Sequence, residues 1–240
     1  MATVADTLDR AARKCSISSP GSWANATATE YVEIRDDFFV ETMSNIRDRV
    51  DLPSPIGKQT TITGDGSESY SLPSDFSRLK RDPLAVYEST TLRRAGTPIA
   101  SDGVWYHVNQ VGGAGSYRYY RLEGYPGAYT IKFENDLTTG REVIVSYMSD
   151  LIVYDGSAYS STFDADTDVL LLPPRLVEAG IVTRFRARRG MDPAPYSSIF
   201  EAELSRLTMD SGNIRTINFA GGSDEYKPMR VPVPDYIPQS

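Results

Sequence analysis

Apolar residues recur every three or four positions near both ends of the chain and every second position through its middle. Val4, Leu8, Ala11, Ala12 and Cys15 predict a first helix over Val4–Ser16, with Thr3 as its cap and Asp6 in the capping-box position. Ser18-Ser19-Pro20-Gly21 then breaks the chain. Tyr31, Ile34, Phe38, Met43, Ile46 and Val50 predict a second helix over Ala28–Arg49, opened by a Thr27/Glu30 pair. Its other face carries Glu33, Asp37, Glu41, Asn45 and Asp48, so it packs on one side. Pro53 and Pro55 cannot continue the helical ladder and end it.

From about Thr60 to Tyr154 the period changes to two. "QTTITGDGSESYSL" reads as a hairpin around Gly64-Asp65-Gly66. "VWYHVNQV" and "YRYYRLEG" read as strands flanking Gly112-Gly113-Ala114-Gly115, and "YTIKFEN" and "EVIVSYM" as strands flanking "DLTTG". Tyr129, Ile131 and Phe133 fall on one face and Thr130, Lys132 and Glu134 on the other, the mark of a sheet buried on one side. In "YSLPSDFSRLK", Pro73 removes a ladder donor and stops the strand holding Tyr70 and Leu72. Asp75 caps the turn, and Phe76 plugs it onto the sheet or helix beneath, a structural link rather than a catalytic one.

Helix returns after "TFDADTDVLLLPP". Pro173 and Pro174 suit its first turn and Gly190 its end, with Leu176, Val177, Ile181, Phe185 and Ala187 apolar between them. A last helix opens at Asp192-Pro193 and runs to about Met209, with Tyr196, Phe200, Leu204 and Leu207 as its stripe. Residues 213–240 hold Pro228, Pro232, Pro234 and Pro238, show no helical period, and are expected to be extended. The predicted fold class is α+β: a small helical bundle from the terminal segments (1–56 and 169–212), an inserted antiparallel β-module (57–168) and an extended Pro-rich tail (213–240).

Composition narrows the function. The longest apolar runs, Leu151 to Tyr154 and Val169 to Leu172, are too short to cross a bilayer. The opening "MATVADTLDR" lacks the basic-then-apolar pattern of a secretory signal, so the expectation is a protein assembled inside a cell. A single cysteine, Cys15, excludes an internal disulfide framework and a cysteine-rich zinc site, and is expected in the core. The net charge of −7 argues against tight wrapping of nucleic acid.

Catalytic signals are weak. His107 is the only histidine, and no serine sits in a nucleophile elbow. Asp164, Asp166 and Asp168 copy the start of a calcium loop, but Val169 and Arg175 stand where glycine and glutamate are required, so capping and the helix dipole explain them better. "GGAGS" lacks the lysine of a P-loop. An Asp164/Glu178 acid–base pair has no supporting spacing. No enzyme activity, cofactor or metal is expected. Arg184, Arg186, Arg188 and Arg189 crowd one helix end. Glu201 and Glu203 on the next helix are candidate partners, with a subunit or DNA contact as the functional alternative.

Three segments carry a family likeness: "TVADTLDRAARKC", "YSLPSDFSRLKR" and "FDADTDVLLLPPRLVEAGIVTRFRARRG", with "YEST…W…YYRLEGYPGAYTIKF…VSYM" between them. In this order, over about residues 1–210, the chain resembles the head-to-tail adaptor (connector, or neck) proteins of tailed bacteriophages. The central β region is longer than in the compact, nearly all-helical members. The resemblance implies a structural virion protein, assembled in the host cytoplasm, that forms a homo-oligomeric ring, dodecameric in relatives. Its partners would be the portal ring and tail or nozzle proteins, with no membrane. Genomic DNA would pass through the channel without specific binding, and net negative charge would suit that passage. The tail would dock on the portal or a neighbouring subunit through Ile214, Ile217, Phe219, Tyr226, Met229, Val231, Val233, Tyr236 and Ile237. The alternative is a tail-completion or receptor-binding protein whose tyrosine-rich sheet stacks on glycans.

Overall fold

The computed structural model describes residues 2–90, 95–111 and 119–210. Helix α1 (Val4–Lys14) opens with a full capping box: Thr3 Oγ1 accepts from the Asp6 amide at 3.0 Å, and the Asp6 carboxylate accepts from the Thr3 amide at 3.4 Å. Val4, Thr7, Leu8, Ala11 and Ala12 form its buried face. Cys15 lies just past the helix, half-buried at the core's margin rather than inside it.

The second predicted helix is one continuous rod in three parts: α2 (Thr29–Val32), a π-helical segment (Glu33–Phe39) and α3 (Val40–Arg49). The expected Thr27/Glu30 cap is not made; Ala28 occupies the cap position with no side-chain hydrogen bond. The wider π turn carries Phe38 and Phe39 into the core together and leaves Val40 49% exposed. A 3.6-residue period finds Phe38 and misses Phe39 for that reason.

The β-module is built from β1 (Gly57–Thr63), β2 (Ser69–Ser71), β3 (Phe76–Leu79), β4 (Val86–Glu88), β5 (Thr97–Pro98), α4 (Asp102–Val111), β6 (Tyr119–Glu123), β7 (Thr130–Phe133) and β8 (Glu142–Ser149). Strand β8 is the spine of one sheet. β1 pairs along one side of it, from Gly57 opposite Met148 to Thr63 opposite Glu142, while β3 and β4 follow one another along the other side. The second sheet runs β2-β7-β6-β5, with β5 and β6 the one parallel pair among the described strands. Ile62, Phe76, Tyr120, Ile131, Phe133 and Val145 belong to the core the two sheets share.

Three sequence expectations fail here. β1 and β2 do not form a hairpin; they belong to different sheets, held at their junction by Tyr70, whose hydroxyl donates to Asp65 at 2.8 Å. The strands flanking "DLTTG", β7 and β8, are likewise split between the sheets. "VWYHVNQV" is not a strand but α4, whose start is held by Ser101: its carbonyl accepts from the Trp105 amide at 2.9 Å and its hydroxyl from the Val104 amide at 3.5 Å. Only Trp105 of residues 101–110 is buried, so the alternation of aromatic and polar residues records one anchoring ring rather than a sheet face.

A small sheet, β9 (Val153–Tyr154) between β10 (Tyr159–Ser160) and β11 (Val169–Leu170), returns the chain to the bundle. There the N-terminal segment meets the chain leading into the later helices. The Val4 amide donates to the Asp168 carbonyl at 2.8 Å, and Thr3 bridges to Val169. Helix α5 (Pro174–Arg188) is the bundle's axis, packed on α1, the π segment, α3 and α6 (Ala194–Asp210). Eight of its residues are buried, among them Gly180, Ile181 and Phe185, and buried Glu178 pairs with Lys14 of α1. Pro174 opens α5, and Gly190, at φ 68°, turns the chain after it. Ala187, expected on the apolar stripe, is exposed. The fold is α+β, and the bundle core also takes in Met148 from the end of β8.

Candidate functional site

Three of the four arginines at the end of α5, Arg184, Arg188 and Arg189, pair with acids of the helical rod, and Arg186 turns toward the start of α6. Arg184 Nε lies 3.4 Å from Glu41, and its NH1 donates to Thr42 Oγ1 at 3.1 Å. Burial pulls the Arg184 pKa down, against the opposing pull of Glu41. Arg188 and Arg189 both hold Glu33, at 2.8 and 3.2 Å, and stack over Phe38 and Phe185 respectively. Arg186 donates to the Asp192 carbonyl at 2.8 Å and covers the Tyr196 ring. The expected partners are engaged elsewhere: Glu201 chelates Arg49 at 2.6 and 2.7 Å, and Glu203 holds Arg175 at 3.1 Å. Thr29, Val32 and Asp37 join Glu33, Arg188 and Arg189 around an open cavity of about 500 Å³. A guanidinium has five donors, so Arg188 and Arg189, 58% and 47% exposed, keep capacity for an outside acceptor.

A second polar cluster locks the bundle to the β-module. Arg78 of β3 reaches the C-terminal end of α3, donating to the Arg47 and Val50 carbonyls and pairing with Asp51 at 2.7 Å. These carbonyls are the ones a helix end leaves unpaired. Beside it, Asp75 accepts from Lys58 at 2.6 Å and from the Tyr147 hydroxyl at 3.1 Å. Asp75 therefore ties strands together rather than capping its own turn. Phe76 is buried as expected, with its ring 5.2 Å from Tyr129 and 5.6 Å from Tyr147. Burial raises the Asp150 pKa, with Arg47 opposing and Asp75 adding to the rise. Sequence reasoning found Phe76 but missed Arg78, for which "DFSRLK" offers no local signal.

The aspartates of "DADTD" are engaged separately. Asp166 accepts from the Trp23 and Ala24 amides, both at 2.9 Å, and Asp168 from the Asp164 and Ala165 amides at 3.0 and 3.1 Å. They brace loops rather than cap α5, whose cap position is Pro173. Among the described residues, no group of three or more His, Cys, Asp or Glu is placed to hold a metal ion. His107 is exposed on α4. Burial pushes the Cys15 thiol up to about 11, away from the reactive thiolate, with Arg186 opposing. The tail positions Ile214 to Ile237 lie outside the described residues. Among the described residues no helix is long and apolar enough to cross a membrane.

No family model matches the chain, and no curated protein matches it in sequence.

Proposed function

We propose that this protein is a structural virion component, a head-to-tail adaptor whose ring joins portal to tail and lets the genome pass. The observation that carries the reading is the shared core of the terminal helices, with the sheets as an excursion from it. The three segments that resemble adaptors have distinct jobs in that arrangement. "TVADTLDRAARKC" is α1, "FDADTDVLLLPPRLVEAG" is the strand and axial helix that α1 joins, and "YSLPSDFSRLKR" carries the Arg78 tie. The role is architectural rather than catalytic. Residues 213–240, with their spaced apolar side chains, are the portal- or subunit-docking element, and Arg188 and Arg189 offer a further subunit contact.

The test is sizing of the purified protein alone and with its phage's portal ring, before and after deletion of 213–240. A ring-sized complex with portal that is lost on deletion is expected; no association of the full chain would refute the reading. Tyr106 and Tyr125, 69% and 70% exposed on the β-module, favour one competing reading, glycan binding. Glycan capture by the full chain that is lost in Tyr106→Ala/Tyr125→Ala would establish it instead.

A further inference from the structure

The last turns of α6 leave two apolar side chains in contrasting settings. Met209 is 71% exposed. Leu207 is one wall of a groove of about 280 Å³, whose other walls include Leu52, Pro53 and Ile56, from the segment joining α3 to β1, and Leu171 and Pro173, ahead of α5. Among the described residues, Ser54 is the one polar side chain lining it, and no charged side chain does so. Such a groove selects apolar side chains on an uncharged stretch of chain. A segment of that kind follows α6 in the chain, four residues past Leu207. Past Asp210 the sequence reads "SGNIRTINFAGGS", with Arg215 its single charge and no proline. At roughly 3.3–3.6 Å per extended residue, Ile214 reaches about 13 Å beyond α6 and Phe219 about 30 Å. Tethering supplies the segment at an effective concentration that a tail from another molecule lacks.

We propose that residues 214–219 of the same chain fold back into this groove, seating Ile217 and Phe219 against Pro53, Leu171 and Leu207. The clasp fixes where the tail leaves the body and narrows the outward-docking part of residues 213–240 to the apolar positions from Tyr226 to Ile237. It does not depend on the adaptor reading, and its test needs no portal.

The first test places Pro53→Cys and Phe219→Cys in a full-length Cys15→Ser background, with Pro53→Cys/Val233→Cys as the distal control. Mild oxidation is expected to give a disulfide within one molecule for the first pair, at least about fivefold more than for the control. Equal yields, no disulfide, or a disulfide between molecules would overturn the proposal, the last by assigning the groove to a second copy. The second test leaves the folded body untouched. Ile217→Asp/Phe219→Asp should raise hydrogen exchange at the Gly57 and Leu171 amides about tenfold; unchanged exchange there would also overturn it.

Discussion

Gly180→Ala sets two known effects against each other at the crossing of α5, α3 and α6. Alanine is the better helix former by about 1 kcal/mol. Its Cβ, however, would collide with Thr42 Cγ2 and sit 3.0 Å from Phe200 Cε2. Thr42 cannot swing aside freely. It is fully buried, its hydroxyl donates to the Phe38 carbonyl at 2.6 Å, and that oxygen accepts from Arg184 at 3.1 Å. Overpacking costs about 1–3 kcal/mol, and so close a collision belongs to the upper part of that range, about 2–3 kcal/mol, so Gly180→Ala should be destabilising by about 1–2 kcal/mol after the propensity gain. That corresponds to a melting point lower by about 2–8 °C for a chain of this size. Thr42→Ser keeps the hydroxyl and deletes the colliding methyl; alone it should cost about 1 kcal/mol. In the double variant the alanine methyl occupies the vacated space, and stability should return close to that of the unaltered protein. Urea denaturation of all four proteins should therefore give a favourable coupling of about 2–3 kcal/mol. Additive effects, or a Gly180→Ala protein more stable than its parent, would refute the packing argument.

Arg78→Met should lower stability by about 2–3 kcal/mol, because it strands buried carbonyls at the end of α3 and the half-buried Asp51; a loss under about 0.5 kcal/mol on denaturation would contradict the junction role. Asp150 has a folded pKa raised above its ordinary 3.8, so the folded state holds this proton more tightly than the unfolded chain, and its ionisation costs stability as pH rises through the folded pKa. Asp150→Asn should accordingly stabilise the protein at neutral pH, with the gain vanishing as pH falls toward the ordinary value; a gain independent of pH in parallel melts would contradict that. Arg188→Ala/Arg189→Ala takes both cations from Glu33, which is only 14% exposed, and should cost about 2–3 kcal/mol in thermal denaturation. A loss under about 0.5 kcal/mol would contradict the view that Glu33 depends on these two partners.

The bundle was legible because its signals are local. Thr3 with Asp6, the proline pair before α5 and Gly190 after it act within one turn of where they stand. The β-module was legible in composition and not in pairing. β8 is the spine, yet its partners come from residues 57–63, 76–79 and 86–88, and turn chemistry says nothing about such distant choices. A turn-forming Gly64-Asp65-Gly66 therefore links two sheets as readily as it would close a hairpin. In α4, Ser101 and Asp102 are helix-start residues, a local signal that the strand reading of "VWYHVNQV" did not use. Trp105 resolves the conflict: with Arg121 stacked 5.6 Å from its ring, one side chain anchors the helix on β6.

The arginine run makes the same point about function. Reading along the chain, Glu201 and Glu203 on the next helix are the expected partners; in space, Glu33 and Glu41 are the partners found. The pairing neutralises much of what looked like a basic patch, in a chain already carrying a net charge of −7. An outside acceptor, phosphate or carboxylate, can use the outward donors of Arg188 and Arg189 while Glu33, only 14% exposed, stays in place. Displacing Glu33 would leave a desolvated charge unpaired, so it remains and offsets the cations beside it. A grip on a phosphate backbone draws on a cluster of uncompensated cations, and Glu33 and Glu41 remove that excess here. A single acidic side chain from another protein surface needs only the free donors. On these energetics the end of α5 suits a boundary between protein surfaces better than a grip on DNA.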